Sequence, residues 1–385
     1  MRRAVAAVIA ATVVLVLVAP TPAASTTPAA AEKRGGPRRA IVFSGEGNNL
    51  NAYESVPPFR KQRVITSRAR DRRGLDINAQ ICFFPGRRRS GARWFIAGED
   101  TGQPNPPQGW GIFSLRGKRV GKLTARKIGK LTPTYQGSAD NAENYGCGFL
   151  RRGRVVTTDI GNQASGEGDG QLIVWFPPFN RTRVRYCKID VGIATAGSIL
   201  VRDNRVYVPS ARPPTAGVWR YTGPFPTSNT AAGGCGRKDG TGAPLADRVK
   251  KELFIPTGGS LVAPNSIVRA PDGFYVSSVI NGVIAEYDED GRFLRNVLEP
   301  APDDPIGAPP FTTGTPLGLG VDRRGNLFYA DIGIEISADG IGPGDRTGSV
   351  RRIRFVSGEP RPPETMDRRL AFPDGIGVLE PTRKR

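Results

Sequence analysis

The sequence of 385 residues contains no histidine. A Ser-His-Asp triad, a Cys-His dyad and a histidine-ligated zinc site each need an imidazole, so these kinds of active site are excluded. Any chemistry of the chain must therefore use carboxylates, amides, hydroxyls, lysine, arginine or a metal held by oxygen atoms.

Helix signals are also scarce. The apolar runs are short, rich in β-branched and aromatic residues, and interrupted every few residues by Gly, Pro, Asn or Asp, a pattern typical of strands and turns. With 38% hydrophobic residues the chain can bury a large core, which excludes disorder by composition. The sequence therefore predicts an all-β protein.

The first 31 residues have the pattern of a secretory signal peptide. Arg2 and Arg3 precede an apolar run at residues 4–19, too short for a typical membrane span, and small residues follow. We expect a signal peptide at residues 1–31, a flexible segment at residues 32–38 and one domain at residues 39–385. An uncleaved N-terminal anchor is the alternative. The predicted mature protein is secreted, either extracellular or in the cell envelope, and has no membrane span.

Cysteine is limited to Cys82, Cys147, Cys187 and Cys235. In an exported protein these residues are expected to form two disulfide bonds. Of the three connectivities, Cys82–Cys147 with Cys187–Cys235 is favoured because neighbours in sequence tend to be neighbours in space. A metal site built from all four thiolates lacks the close cysteine spacing that such sites show.

One short pattern recurs along the chain. It consists of a β-branched or aromatic pair, small or acidic residues, a loop and a second strand. The five copies lie at residues 94–99, 155–161, 206–210, 274–278 and 327–333, with partner strands at residues 110–115, 171–176, 217–221, 283–288 and 349–355. The mean step of about 58 residues is typical of propeller blades with long loops.

A sixth copy is divided between the two ends of the chain. Residues 40–54 have the pattern of the middle two strands of a blade, and residues 372–379 that of its first strand. A closed ring needs such a clasp, because an open array would expose two sheet edges. The sequence therefore predicts a single-domain, six-bladed β-propeller closed by its N- and C-terminal strands, which we expect to be a monomer.

Two stretches carry a family resemblance. PNSIVRAPDGFYV at residues 264–276 and TPLGLGVDRRGNLFYAD at residues 315–331 resemble repeats of the NHL and senescence-marker-protein/gluconolactonase propellers. The resemblance extends over residues 260–385 and 40–54. Enzymes of that family hold one divalent cation, usually calcium or zinc, on the propeller axis and open lactones or related esters. The cation polarises the carbonyl and a carboxylate takes the proton of the attacking water.

The resemblance implies a set of site residues. Asn265 matches the Asn of the family's Pro-Asn-Gly motif, with Ser266 in place of the Gly, and Asp374 matches the Asp of Pro-Asp-Gly and the catalytic carboxylate. The further metal ligands expected are Asn144 and an acid at Glu46, with Glu143, Asp159 and Asp331 as alternates. Oxygen ligands of this kind favour calcium over zinc.

Structural roles are the alternative for the same residues. Pro-Asp-Gly is a turn signature, so Asp374 can serve to shape the backbone, and Asn144 and Asn265 can cap strand starts. Asp159 and Asp331, each before Ile-Gly, are expected to be repeat-closing carboxylates. The blade after Asn265 carries Leu317 where the family has an acidic residue.

The net charge of +20 suggests a second class of function, the binding of anionic partners. Arg181, Arg183 and Arg185 alternate along one strand, and Arg351, Arg352 and Arg354 follow a similar pattern, whereas Lys118, Arg119, Lys122, Arg126, Lys127 and Lys130 form the densest basic segment. We interpret the alternating arginines as solvated outer strands whose charge prevents edge-to-edge pairing. The alternative is adhesion to an anionic envelope polymer. No motif indicates specific nucleic-acid binding.

Two functions are consistent with these observations. The first is a secreted, metal-dependent hydrolase of lactones or related esters. The second is a non-catalytic extracellular propeller that binds a ligand, a protein or an anionic polymer.

Overall fold

A computed structural model describes residues 39–46, 49–66, 76–86, 92–100, 109–131, 142–162, 170–179, 184–302, 304, 311–337 and 340–380. Within these residues nearly all regular structure is β-strand, and the strands form six blades built on four antiparallel strands each. The prediction of a six-bladed β-propeller is confirmed. The described residues all belong to one compact unit, Arg39–Arg385.

The first three blades follow one another along the chain. Blade 1 takes β1 (Ile41–Glu46), β2 (Asn49–Glu54) and β3 (Lys61–Thr66) from the start of the described chain. Blade 2 consists of β4 (Asp76–Phe83), β5 (Arg93–Asp100), β6 (Gly109–Arg116) and β7 (Thr124–Leu131). Blade 3 consists of β8 (Ala142–Phe149), β9 (Val155–Asn162), β10 (Gly170–Phe176) and β11 (Arg185–Ile193), with a 3-10 turn, η1 (Arg151–Gly153), between β8 and β9.

The other blades carry the insertions. Blade 4 contains β12 (Leu200–Arg202), β13 (Arg205–Ser210), β14 (Gly217–Thr222) and, after the short strands β15 (Arg237–Lys238) and β16 (Pro244–Leu245), β17 (Lys250–Pro256). Blade 5 contains β18 (Pro264–Ala270), β19 (Gly273–Ser278), the 3-10 turn η2 (Val279–Asn281), β20 (Val283–Asp288) and β21 (Phe293–Leu298). Blade 6 uses β22 (Pro316–Val321), β23 (Leu327–Asp331), β26 (Gly348–Ile353) and β29 (Glu364–Leu370), interrupted by the hairpins β24 (Ile334–Ser337) with β25 (Gly340–Pro343) and β27 (Phe355–Val356) with β28 (Glu359–Pro360).

The last strand, β30 (Ile376–Leu379), closes the ring. It pairs antiparallel with β1 from Ile41–Leu379 to Ser44–Ile376 and becomes the inner strand of blade 1. The predicted clasp between the chain ends is therefore confirmed, with residues 40–54 supplying the two middle strands as expected.

Apolar side chains fill the space between blades. Six buried clusters each join one blade to the next around the ring, for example Phe43 and Phe95 between blades 1 and 2. The second and third strands lie between two such clusters, which explains why all seven residues of β10 and all six of β19 are buried. This double burial produces the continuous apolar runs from which the repeat was predicted.

The fourth strand of every blade contains a β-bulge opposite the third strand. In each case at least one residue of the outer strand has no partner in the register, and these residues include Val64, Ile128, Ile189, Phe254, Val297 and Met366. All six are apolar, and five of them pack into the clusters between blades. The bulges therefore turn outer-strand side chains back towards the core.

Two disulfide bonds link neighbouring elements in the favoured connectivity. Cys82–Cys147 joins the inner strands of blades 2 and 3. Cys187–Cys235 joins β11 to the insertion of blade 4, whose strand β16 pairs in parallel with β11. The insertion therefore covers the outer edge of blade 3.

The interpretation of a solvated outer strand is wrong for Arg351 and Arg352, whereas Arg354 follows the strand and is exposed. Strand β26 is the third strand of blade 6 and is paired on both sides. Arg352 is 3% exposed and donates to the Ser55 carbonyl and Glu364, while Arg351 binds Asp331. Arg185 is exposed on β11, whereas Arg181 and Arg183 lie outside the described residues. In the described part of the chain no helix is long and apolar enough to cross a membrane.

Candidate functional site at the mouth of the propeller

The six inner strands lie side by side around the axis. Neighbouring inner strands contact each other through their backbones, because a Cβ atom on Gly197 would overlap the Asn265 carbonyl and one on Gly375 the Ala79 carbonyl. Since each blade begins with its inner strand, all six strands start at the same end of the ring, which we call the mouth.

Three predicted site residues reach the mouth from alternate blades. Asn144 is the third residue of β8 in blade 3, and Asn265 is the second residue of β18 in blade 5. Asp374 lies two residues before β30 in blade 1. All three are 5% exposed or less. The structure thus places them at equivalent positions on every second blade.

Asn144 is the most unusual of these residues. Its side chain is 2% exposed, yet neither its amide nitrogen nor its carbonyl oxygen has a hydrogen-bond partner within the described chain. The Oδ1 atom of Asn265 is in the same situation. Leaving a buried polar group without a partner costs about 1–3 kcal/mol, so such groups are usually bound to water, an ion or a ligand.

Asp374 links two blades. Its Oδ2 accepts a hydrogen bond from the backbone N–H of Ala79, the neighbouring inner strand, at 2.8 Å. The carboxylate therefore supports the junction of the clasp blade with blade 2, in addition to any role in binding.

Glu46 ends β1 on the same side of blade 1 as Asp374, since each lies two residues beyond the Ser44–Ile376 pair. It is 5% exposed and accepts a 2.9 Å hydrogen bond from Asn51 Nδ2, while Arg346 lies 3.9 Å from its Oε1. The nearby guanidinium compensates part of its charge. Glu143 belongs to β8, but its side chain lies outside the described residues.

The two alternates at the ends of second strands differ in their surroundings. Asp331 accepts hydrogen bonds from the backbone of Thr315 and Gly333 and from the side chains of Ser349 and Arg351. These donors occupy both of its oxygens. Asp159 is fully buried opposite Asn144 in the register and accepts from the Gln171 backbone at 3.1 Å.

No group of three or more Asp, Glu, Cys or His side chains comes together among the described residues. A cation at the mouth would therefore depend on the amide oxygens of Asn144 and Asn265 as much as on carboxylates. Amide and carboxylate oxygens together suit calcium, which accepts six to eight oxygen ligands in flexible geometry.

An apolar wall surrounds these polar groups and was not predicted. It consists of a seventh buried cluster formed by Tyr145, Ile160, Ala263, Val279, Leu317 and Ile332 from blades 3, 5 and 6. Val262 and Ile280 stand exposed beside it, at 46% and 45%. From the sequence, Leu317 was noted only as a departure from the family pattern. An apolar residue at that position was the feature of the sequence that could have indicated this wall.

Comparisons with known proteins support the fold. No protein-family model and no curated protein matches the sequence. Among solved structures, a chain of a nidogen–laminin complex superposes with a TM-score of 0.51 at 10% identity, covering 88% of this chain and 98% of that one.

Two further solved structures are less similar. A candidate 6-phosphogluconolactonase from Bacteroides uniformis gives a TM-score of 0.48 at 9% identity, over 89% of this chain and 100% of that one. The calcium-binding protein regucalcin from Agrobacterium tumefaciens gives 0.44 at 15% identity, over 74% and 75%. At these identities the likeness concerns the fold alone.

Proposed function

We propose that the mouth binds one divalent cation through Asn144, Asn265 and Asp374, and that the protein is a secreted hydrolase of lactones or related esters. The observation that carries this proposal is the Asn144 side chain, which is 2% exposed while both of its polar atoms lack a partner in the described chain. A bound cation and substrate would supply those partners and offset the cost of burial.

The donor set suits a hard cation. Asn144 Oδ1 and Asn265 Oδ1 are buried acceptors without a donor in the described chain, and Asp374 adds a carboxylate from the remaining alternate blade. Glu46 is the acid that could complete the set, although Asn51 and Arg346 already contact it. We expect calcium rather than zinc, because no imidazole or free thiol is present.

Both the cation and the side chains of the protein would take part in the reaction. A bound divalent cation would polarise the carbonyl of the ester. The Asn144 amide nitrogen is a donor without a partner in the described chain, suited to an oxygen that gains negative charge during attack. Asp374 is the carboxylate for the proton of the attacking water, and the Ala79 N–H fixes its orientation.

The wall of the mouth favours substrates with an apolar body. Leu317, Tyr145 and Ile332 are buried in this cluster, and the exposed hydrocarbon surface is that of Val262 and Ile280, which are adjacent in sequence to its members Ala263 and Val279. Such a surface gains about 25 cal/mol for each Å² of apolar area that a ligand covers. We therefore expect lactones or esters with alkyl or aryl substituents to be better substrates than unsubstituted sugar lactones.

A substrate panel tests this function. Purified protein should hydrolyse alkyl-substituted lactones or aryl esters in the presence of calcium, and a chelator should remove the turnover reversibly. Asp374→Asn keeps an acceptor for Ala79 but removes the base, so kcat should fall by about 10²-fold or more. Asp203→Asn, at an exposed turn, is the matched control.

Two results would contradict the hydrolase. One is the absence of turnover across the panel with calcium present. The other is unchanged kcat in Asp374→Asn, once circular dichroism shows that the variant is folded.

A second candidate is a non-catalytic propeller that binds an anionic polymer. The supporting observation is that all six cations of the predicted basic segment are exposed on β7 and the loop before it: Lys118, Arg119, Lys122, Arg126, Lys127 and Lys130. Salt-sensitive binding to an anionic polysaccharide without turnover would favour this function over the hydrolase.

We also propose that the protein is secreted. Two disulfide bonds are typical of proteins in an oxidising compartment. Detection of the processed chain outside the cytoplasm, with a new N-terminus near residue 32, would support it, and retention of the full chain in the cytoplasm would contradict it.

A further inference from the structure

A cavity of about 360 Å³ lies between blades 2 and 3, away from the mouth. Its lining includes Trp94, Ile128, Arg152, Pro177, Pro178 and Phe179. Trp94 lies near the start of the second strand β5, and Arg152 follows the end of the inner strand β8. Both positions belong to the end of the ring opposite the mouth, so the cavity is independent of the proposed hydrolytic site.

Ile128 shows why the space is open. It is the unpaired residue of the outer-strand bulge in blade 2, and the equivalent residues of the other blades pack between blades. Ile189, Phe254, Val297 and Met366 are all 9% exposed or less, but Ile128 is 37% exposed. In the other blades the equivalent side chain packs between blades, whereas Ile128 lines an opening.

The lining has the composition of a ligand pocket. Trp94, Phe179 and the two prolines give apolar walls, and the Phe84 ring packs against both Trp94 and Phe179, with ring centroids 6.1 and 6.2 Å apart. The volume falls within the usual range for small-molecule sites, which are mostly apolar with a few polar groups.

The polar group here is a cation. Arg152 is exposed at the edge of the cavity and holds a left-handed backbone, with φ of 62°, in the turn between β8 and β9. This backbone conformation is unfavourable for a non-glycine residue. It therefore persists only where the surrounding structure imposes it or function requires it. None of the described lining residues is acidic, and the exposed cations Lys127 and Arg151 directly precede lining residues in the sequence.

From these observations we infer that the cavity is a binding site for a small apolar carboxylate. The aromatic or aliphatic body enters between Trp94 and Phe179, and the carboxylate is paired with the Arg152 guanidinium. Arginine suits this role because its planar donors match a carboxylate in a bidentate pair. The basic outer strand of blade 2 raises the local concentration of anions.

Calorimetric titration with 2-naphthoate tests the site, with 2-naphthamide as the uncharged analogue. We expect saturable binding of one 2-naphthoate per chain and at least about tenfold weaker binding of the amide, given the free energy of a hydrogen bond to a charged group. Arg152→Asn removes the charge while tolerating the left-handed backbone, so it should weaken 2-naphthoate binding by a similar factor without destabilising the fold.

Two further variants distinguish binding in the pocket from general attraction of an anion to the positive surface. Arg151→Gln removes the neighbouring charge without altering the lining and should leave affinity nearly unchanged. Ile128→Phe should occupy the cavity, abolish binding and keep or raise the melting temperature. Absence of saturable 2-naphthoate binding would overturn the inference, as would equal affinities in the wild type, Arg152→Asn and Ile128→Phe.

Discussion

Polar residues at the mouth fall into two groups that differ in how their hydrogen-bonding capacity is used. Asp331 receives donors on both carboxylate oxygens, one of them from Arg351 at 2.9 Å. Asn144 is equally buried, but both of its side-chain polar atoms lack a partner in the described chain. Satisfied groups of the first kind stabilise the fold, whereas unsatisfied groups of the second kind are typical of binding sites.

This contrast predicts opposite effects of truncation. Without metal, Asn144→Ala loses no side-chain hydrogen bond within the described chain, so the free energy of unfolding should change by no more than about 1 kcal/mol. Asp331→Ala removes the only carboxylate that pairs with the Arg351 guanidinium in the described chain, and should cost about 3–5 kcal/mol. Urea unfolding in chelator measures both values. A loss in Asn144→Ala as large as that in Asp331→Ala would show that Asn144 is structural.

A buried ion pair makes stability depend on pH. Lys188 Nζ and Asp239 Oδ2 are 2.6 Å apart, with side chains 3% and 5% exposed. Burial alone would raise the pKa of Asp239, but hydrogen bonds from Lys188, Thr241 and the Ala243 backbone lower the pKa to about 2. Because this is below the value of about 3.9 for an unfolded Asp, the pair stabilises the fold above pH 4 and that contribution is lost as the pH falls towards 2.

Asp239→Asn tests this pair. The substitution leaves the Lys188 ammonium buried without an anion, so at pH 7 the free energy of unfolding should fall by about 3–5 kcal/mol. The difference from the wild type should shrink between pH 4 and pH 2. Asp203→Asn, which removes an exposed partner of Arg202, should change stability by less than about 1 kcal/mol and serves as control. An equal loss at pH 7 and pH 2.5 would contradict the assignment.

Among the single elements, the strands that are most buried are those that the sequence predicted. The second and third strands, such as β10 and β19, were predicted because they are buried on both faces and therefore apolar throughout. Apart from the outer strand indicated by Arg185, the fourth strands were not predicted. Most residues of β7 are exposed, three of them are charged, and its bulge breaks the alternation of faces that would indicate a strand.

The insertion of blade 4 was also not predicted. Strand β16 pairs in parallel with β11 of the preceding blade through Lys188 and Leu245, a contact that no local pattern encodes. The Cys187–Cys235 bond and the Lys188–Asp239 pair hold the insertion on that edge. Only the disulfide could be inferred from sequence, because export and an even number of cysteines predict disulfide bonds and neighbours in sequence tend to be neighbours in space.

Removing this disulfide should loosen the element it holds. The bond closes a loop of 48 residues, so replacing both Cys187 and Cys235 by Ser should lower the free energy of unfolding by about 2–4 kcal/mol. Limited proteolysis should then cut first within residues 226–249. If the double variant were as stable and as resistant as the wild type, the insertion would be held by its hydrogen bonds and packing alone.

For the whole molecule, closure of the ring is the property that the sequence predicted best. The chain ends share one blade, which could be recognised because each end carries an incomplete copy of the same repeat. The structure places Asn144, Asn265 and Asp374 at the mouth on alternate blades, and their role as metal ligands stays a prediction. The apolar wall around them comes from residues far apart in the chain, such as Tyr145 and Leu317, and depends on the assembled ring.

A circular permutant tests the role of the clasp. Ile41 and Leu379 are paired, so Glu380 can be joined to Arg39 by a linker of about four residues, a common hairpin length. With new ends between Ser357 and Gly358, in an exposed turn, the permutant should fold and melt at the wild-type temperature or above. Deleting residues 371–380 instead should prevent folding, because β30 supplies the inner strand of blade 1. A deletion variant that melts like the wild type would show that the clasp is dispensable.

The proposal of a cation at the mouth is tested most directly by metal stoichiometry. Purified protein should be dialysed against calcium, freed of loosely bound ions and assayed by elemental analysis, alongside Asn144→Ala. One calcium per chain in the wild type, and less than half of that in the folded Asn144→Ala variant, is the predicted result. No stoichiometric metal in the wild type, or the same content in both proteins, would contradict a cation site built on Asn144.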